Sequence, residues 1–174
     1  MSAAVTPAVS ATSTTNDTAL TTGSFTPADG DLLVVIALVT GGIGLAPTIT
    51  DTQSLGWTQS IAAQHSANGS YLIIFTANAS AVASSMTITA TPFAGICSGI
   101  ALSVLRISGT SKRGSDAILL TGNINNQSAG GGACSFTSGS ASTGNPVILA
   151  LANATNPATM TAPTTFTEQH DIGY

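Results

Sequence analysis

The chain has 174 residues, enough for one domain that buries roughly 70% of the surface its unfolded form exposes. Only 6% of the residues are charged, against about 25% in ordinary soluble proteins. The three basic residues, Arg106, Lys112 and Arg113, are outnumbered by seven acidic ones for a net charge of −4, which excludes the extended electropositive surface that nucleic-acid binding requires.

Residues 1–17 are rich in Thr, Ser and Ala with a weak apolar signal, and read as an N-terminal arm or edge segment ahead of a single domain over residues 18–174. The stretch has neither the basic n-region nor the apolar core of a secretory signal. Phe25–Thr40, FTPADGDLLVVIALVT, is the organising element. Pro27, Asp29 and Gly30 predict a tight turn, with Pro27 at its second position and Asp29 as the side-chain acceptor. The apolar run Leu32–Val39 then predicts a central strand buried on both faces, since Val34, Val35 and Ile36 are β-branched. That run is too short for a membrane span, which takes about 20 residues.

Gly41–Pro47, GGIGLAP, reads as a loop. Residues 57–66 and 71–78 flank Ala67-Asn68-Gly69-Ser70, where Asn-Gly predicts a hairpin with a two-residue turn. Met86–Ala90 alternates apolar residues with Thr and predicts a half-buried strand. Ile100–Ile107 predicts another, with Arg106 near its end. Further short strands are expected at 117–121, 134–137, 147–153 and 164–169, with a polar, glycine-rich loop at 122–132. No stretch carries a convincing helical period. The chain therefore reads as all-β, an antiparallel β-sandwich of jelly-roll or immunoglobulin-like type.

Candidate sites are few. Gly95-Ile96-Cys97-Ser98-Gly99 has the spacing of a nucleophile elbow, with Asp116 and His170 following in hydrolase order, but an elbow needs a helix behind it and Ile100–Ile107 reads as a strand. Cys97 is therefore expected to be an inert buried thiol, and a disulfide with Cys134 is disfavoured against free thiols. Gly42-Ile43-Gly44 follows a strand as a dinucleotide-binding turn would, but Pro47 stands at the third glycine position. Asp29 and Asp31 are close enough to share a cation, yet turn chemistry accounts for Asp29. His65 and His170 have no partner at metal-ligand spacing. Asn16, Asn68, Asn78, Asn126 and Asn153 fall in Asn-X-Ser/Thr sequons of the kind a Ser/Thr-rich chain produces by chance. Trp57, the single tryptophan, caps the core or marks a binding surface. The reading is a non-enzyme with no catalytic, cofactor-binding or metal residues and no cofactor.

FTPADGDLLVVIA (25–37), GWTQS (56–60), NGSYLIIFTANAS (68–80), MTITAT (86–91), ALSVLRISG (101–109) and PTTFTE (163–168) resemble, in that order, segments of structural proteins of tailed bacteriophages and prophages. The resemblance implies a β-sandwich virion component without nucleic-acid or membrane partners. It is expected on the capsid surface in preference to the tail, as a decoration or cement protein that binds the major capsid protein or other virion proteins and forms a homo-oligomer, with a trimer favoured. The alternative is a tail or surface adhesin for host glycan or protein. An exterior-type composition without a visible export signal fits a product released by host lysis. Chains of this kind often continue past a segment like 170–174 into two more strands, so the sheet is expected to be completed by more chain or by a neighbour.

Overall fold

The computed structural model describes residues 3–15, 18–41, 46–65, 70–79, 84–93, 97–110, 146–148, 150, 164–170 and 172, with His65 described by its backbone alone. Eight strands run in chain order: β1 (Ala4–Ser13), β2 (Leu20–Thr21), β3 (Leu32–Thr40), β4 (Thr48–Asp51), β5 (Thr58–His65), β6 (Ser70–Asn78), β7 (Ile88–Thr91) and β8 (Gly99–Ser108). They form a five-stranded sheet of order β1-β8-β3-β6-β5 and a three-stranded sheet of order β2-β7-β4, antiparallel throughout. The described residues contain no helix, so none that could cross a membrane. The protein is an all-β sandwich.

Strand β3 is the middle strand of the large sheet, as its sequence predicts. Leu33, Val35, Ala37 and Val39 point into the core shared with the small sheet, where they meet Ile49 of β4 and Ile88 and Ala90 of β7. Leu32 and Val34 point to the other face and pack with Leu105, Ile107, Val5, Ile36, Ile74 and Ile148. With about 1.5–3 kcal/mol for each large apolar side chain fully buried, a strand apolar on both sides stabilises two layers at once.

Strand β8 was expected to be half-buried and is buried on both faces. It is sandwiched between β1 and β3, so Ile100, Leu102 and Val104 enter the inter-sheet core while Leu105 and Ile107 join the outer cluster. Of the two expectations for the N-terminus, Ala4–Ser13 take up the edge-strand position, paired to β8 from Ala4↔Ser108 to Ser13↔Ile100. The segment is thus drawn into the same sandwich as residues beyond 18. Its register shifts between Pro7 and Val9, and that bulge flips the side-chain alternation: Val5 packs on the outer cluster and Val9 on the inner one.

Three local expectations are corrected. The turn before β3 closes by Asp31 N–H donating to the Ala28 carbonyl at 3.2 Å, which puts Gly30 (φ 77°) third and Pro27 outside. Its carboxylate acceptor is Asp31, which takes the Ala28 N–H at 2.9 Å. The hairpin joining β5 and β6 is present, but a two-residue Asn68-Gly69 turn would set Ala67 opposite Ser70. His65 stands there instead, so the connection spans residues 66–69; a bulge between Gln59 and Ile61 shifts the ladder. Residues 164–170 form a turn and irregular chain where a last strand was expected. Both neighbours of β8 are already taken, and His170 bonds it through a side chain from the sheet face. Met86 bridges to Phe25 ahead of β7, and Met86, Ile88 and Ala90 are buried as expected. The segments 117–121, 122–132 and 134–137 lie outside the described residues, as do 149 and 151–153; residues 147, 148 and 150 carry no strand.

Candidate functional site

Strand β4 ends at Asp51, and the chain reaches β5 through a loop built on that one carboxylate. Asp51 Oδ1 accepts the Gln53 N–H at 2.6 Å. Its Oδ2 accepts the Leu55 N–H at 2.9 Å and the Trp57 indole N–H at 2.8 Å. This is an aspartate-initiated turn extended to a ring. Gln53 Nε2 ties the loop to Ser84, donating to its carbonyl at 2.6 Å and to its hydroxyl at 2.8 Å. Ser54 adopts φ 58°, the left-handed region that a non-glycine residue seldom occupies. The loop borders a depression open to solvent, of about 360 Å³, lined by Ile49, Thr50, Asp51, Ser54, Leu55 and Trp57.

Of the two roles the sequence left open for Trp57, the structure shows the first, contact with the core. It packs against the inter-sheet core and lines the cavity. Chemically the arrangement offers an oriented aromatic ring, two hydroxyls and a carboxylate acceptor.

The outer face of the small sheet is a second candidate surface. Leu20, Ile49, Ile88 and Ala90 turn inward, so the intervening threonines turn out. Thr21, Thr89 and Thr50 form one cross-strand row, and Thr91 and Thr48 the next. Thr21 and Thr89 share a hydroxyl hydrogen bond of 2.8 Å. None of these side chains is charged.

Of the elbow residues that are described, Cys97 and His170 do not come together. Cys97 is 1% exposed within the inter-sheet core and leads into β8. His170 lies against the opposite face of that sheet, where its Nδ1 pairs with the Ser103 hydroxyl; burial pushes its pKa below the ordinary 6.5. Gly95, Ile96, Asp116 and Cys134 lie outside the described residues, and with Cys134 the question of a disulfide. Gly42–Gly44 are likewise outside, but strand β4 follows Pro47 where a nucleotide site needs a helix. Asp31 is held by Arg106 Nε at 2.7 Å, and no group of three metal-ligating side chains occurs among the described residues. His65 ends β5, and Asn78 ends β6 opposite Leu32. The other four sequons lie outside the described residues.

Sequence reasoning missed Asp51, Asp31 as an ion-pair partner, and Ser103. Asp51 alone carried a signal, an aspartate closing the Thr-Ile-Thr strand and opening a Thr-Gln-Ser-Leu-Gly loop. The other two meet partners distant in sequence. The site and fold together define a two-sheet β protein with a tryptophan-lined cavity and a hydroxyl-covered face. Comparison with protein-family models, curated proteins and solved structures finds no match to this chain.

Proposed function

We propose that the chain is a virion structural protein of a tailed bacteriophage, a capsid decoration or cement protein that attaches to the major capsid protein as a homo-oligomer. The observation that carries the reading is the uncharged hydroxyl face of the small sheet, Thr21, Thr48, Thr50, Thr89 and Thr91, on a chain with 6% charged residues. An uncharged surface of this kind docks by shape and neutral hydrogen bonds, and the likeness of segments 25–37, 56–60, 68–80 and 101–109 to phage structural proteins suggests the partner. Attachment stabilises the shell by mass action, because a protein that binds the assembled lattice and not its dissociated subunits adds its binding free energy to the assembled state.

A tail or surface adhesin is the second reading, and the Trp57 cavity favours it. Imaging particles that carry a tagged copy separates the two. Label over the whole head supports decoration; label confined to the tail supports the adhesin, and no label on particles removes both.

A further inference from the structure

We propose that the cavity beside Trp57 is a saccharide site that takes an uncharged pyranose ring, with the indole as its stacking platform. A pyranose has an apolar C–H face and a rim of hydroxyls, and the lining supplies a partner for each. The indole ring is oriented in advance, because its N–H is already bonded to Asp51 Oδ2 at 2.8 Å; a fixed platform reduces the entropy lost on binding. One part of Trp57 rests on the inter-sheet core while another lines the cavity. Thr50 and Ser54 bring hydroxyls to the same space. Asp51 accepts three hydrogen bonds, and a carboxylate has about four lone-pair sites, so it keeps capacity for a sugar hydroxyl.

Size and strain agree with this assignment. The depression is open to solvent, and its volume of about 360 Å³ leaves room for one pyranose ring laid against the indole. Ser54 holds its left-handed backbone at the cavity wall, and strained residues of this type gather at ligand sites. Charge sets the selectivity. Among the described residues the lining contains a carboxylate and no cation, which favours neutral and N-acetylated sugars over acidic ones. Thr50 also belongs to the threonine face proposed for docking, so the site is tested on the isolated chain, where its outcome is separate from virion attachment.

Trp57 is the only tryptophan of the chain, so its fluorescence reports on this cavity alone. The full chain is titrated with the methyl glycosides of glucose, galactose, mannose and N-acetylglucosamine, and with methyl glucuronide as the acidic control. The expected result is a saturable emission change with at least one neutral glycoside and none with the glucuronide. Calorimetry on Trp57→Phe should show that glycoside's affinity reduced about tenfold, the scale of a lost aromatic contact. Should Trp57→Phe misfold, Thr50→Gln, an exposed strand position that narrows the mouth, is expected to weaken binding to a similar extent. Flat titrations for every neutral glycoside up to about 100 mM, far above the millimolar constants of weak single-ring binding, would overturn the assignment. So would an equal response to glucuronide, or unchanged affinity in the substituted proteins.

Discussion

Gly41 and Gly56 make opposite predictions because their surroundings differ. Gly41 has φ 70°, and an added Cβ would come within 2.9 Å of the Ser98 Cβ. Both the backbone and the neighbour oppose a side chain there, so Gly41→Ala should destabilise by about 1–3 kcal/mol. Gly56 has nothing within 4 Å of the added Cβ and no positive φ, so Gly56→Ala should be neutral or stabilise by up to about 1 kcal/mol. Denaturant melts of the pair check the contrast. Asp31 is 3% exposed and its partner Arg106 31%, so Arg106→Met leaves a buried carboxylate that has lost its counter-ion and still accepts the Ala28 N–H. A loss of about 2–3 kcal/mol is expected, below the range for fully buried pairs because the guanidinium is partly solvated. His170 sets a pH dependence. Its folded pKa lies below 6.5 through burial, so just below pH 6.5 the unfolded chain binds more protons than the folded one. Its contribution is complete above pH 6.5 and is lost as the pH falls toward the folded pKa. Stability measured between pH 8 and 5 should therefore decline on the acid side, and His170→Asn should flatten that decline; an unchanged profile would show that Ser103 and His170 are not coupled to folding.

The elements behave according to what lies on each side of them. Leu32 and Leu33 are adjacent on β3 but serve different clusters, the first on the outer face and the second between the sheets. Each change to Ala should cost about 2–5 kcal/mol. Equal losses in denaturant melts establish that both faces of the large sheet are packed, whereas a loss under about 1 kcal/mol for Leu32→Ala would mean that the outer layer contributes little. Strand β1 makes the complementary case. It covers the edge of β8 from Ile100 to Ser108 and anchors Val5 and Val9 in separate clusters. Deleting residues 2–13 should lower the melting temperature and leave β8, Gly99–Ser108, as a mainly apolar edge strand paired only to β3, which invites association between chains. Size-exclusion chromatography and thermal melts of the truncated chain report both effects. Edge strand β1 itself carries a proline and a bulge, two devices that discourage unintended pairing.

At the scale of the whole molecule the sparse charge has a direct consequence. Exposed ion pairs weaken as salt screens them, but an attachment made by the threonine face has no such pairs to lose. Particle association should persist at about 1 M salt, where the Debye length is near 3 Å, and sedimentation of decorated particles at low and high salt measures it. Release by salt alone would contradict docking through that face. The sequence of this protein determined its class and its central strand by itself, because β-branching, period-two alternation and turn residues act through neighbours along the chain. Leu32–Val39, Met86–Ala90 and the pairing of residues 58–65 with 70–78 were legible on that ground. Register was not. The four-residue connection at 66–69, the bulge at Pro7–Val9 and the choice of Asp31 over Asp29 as the turn's carboxylate depend on which strands lie alongside. The candidate site divides in the same way: Trp57 stood out by being the only one of its kind, but its indole became a fixed cavity wall only when the loop after β4 folded back onto Asp51. The Asp31–Arg106 ion pair and the Ser103–His170 contact were likewise settled by tertiary structure, because their partners lie 75 and 67 residues apart and no local pattern links side chains over such distances.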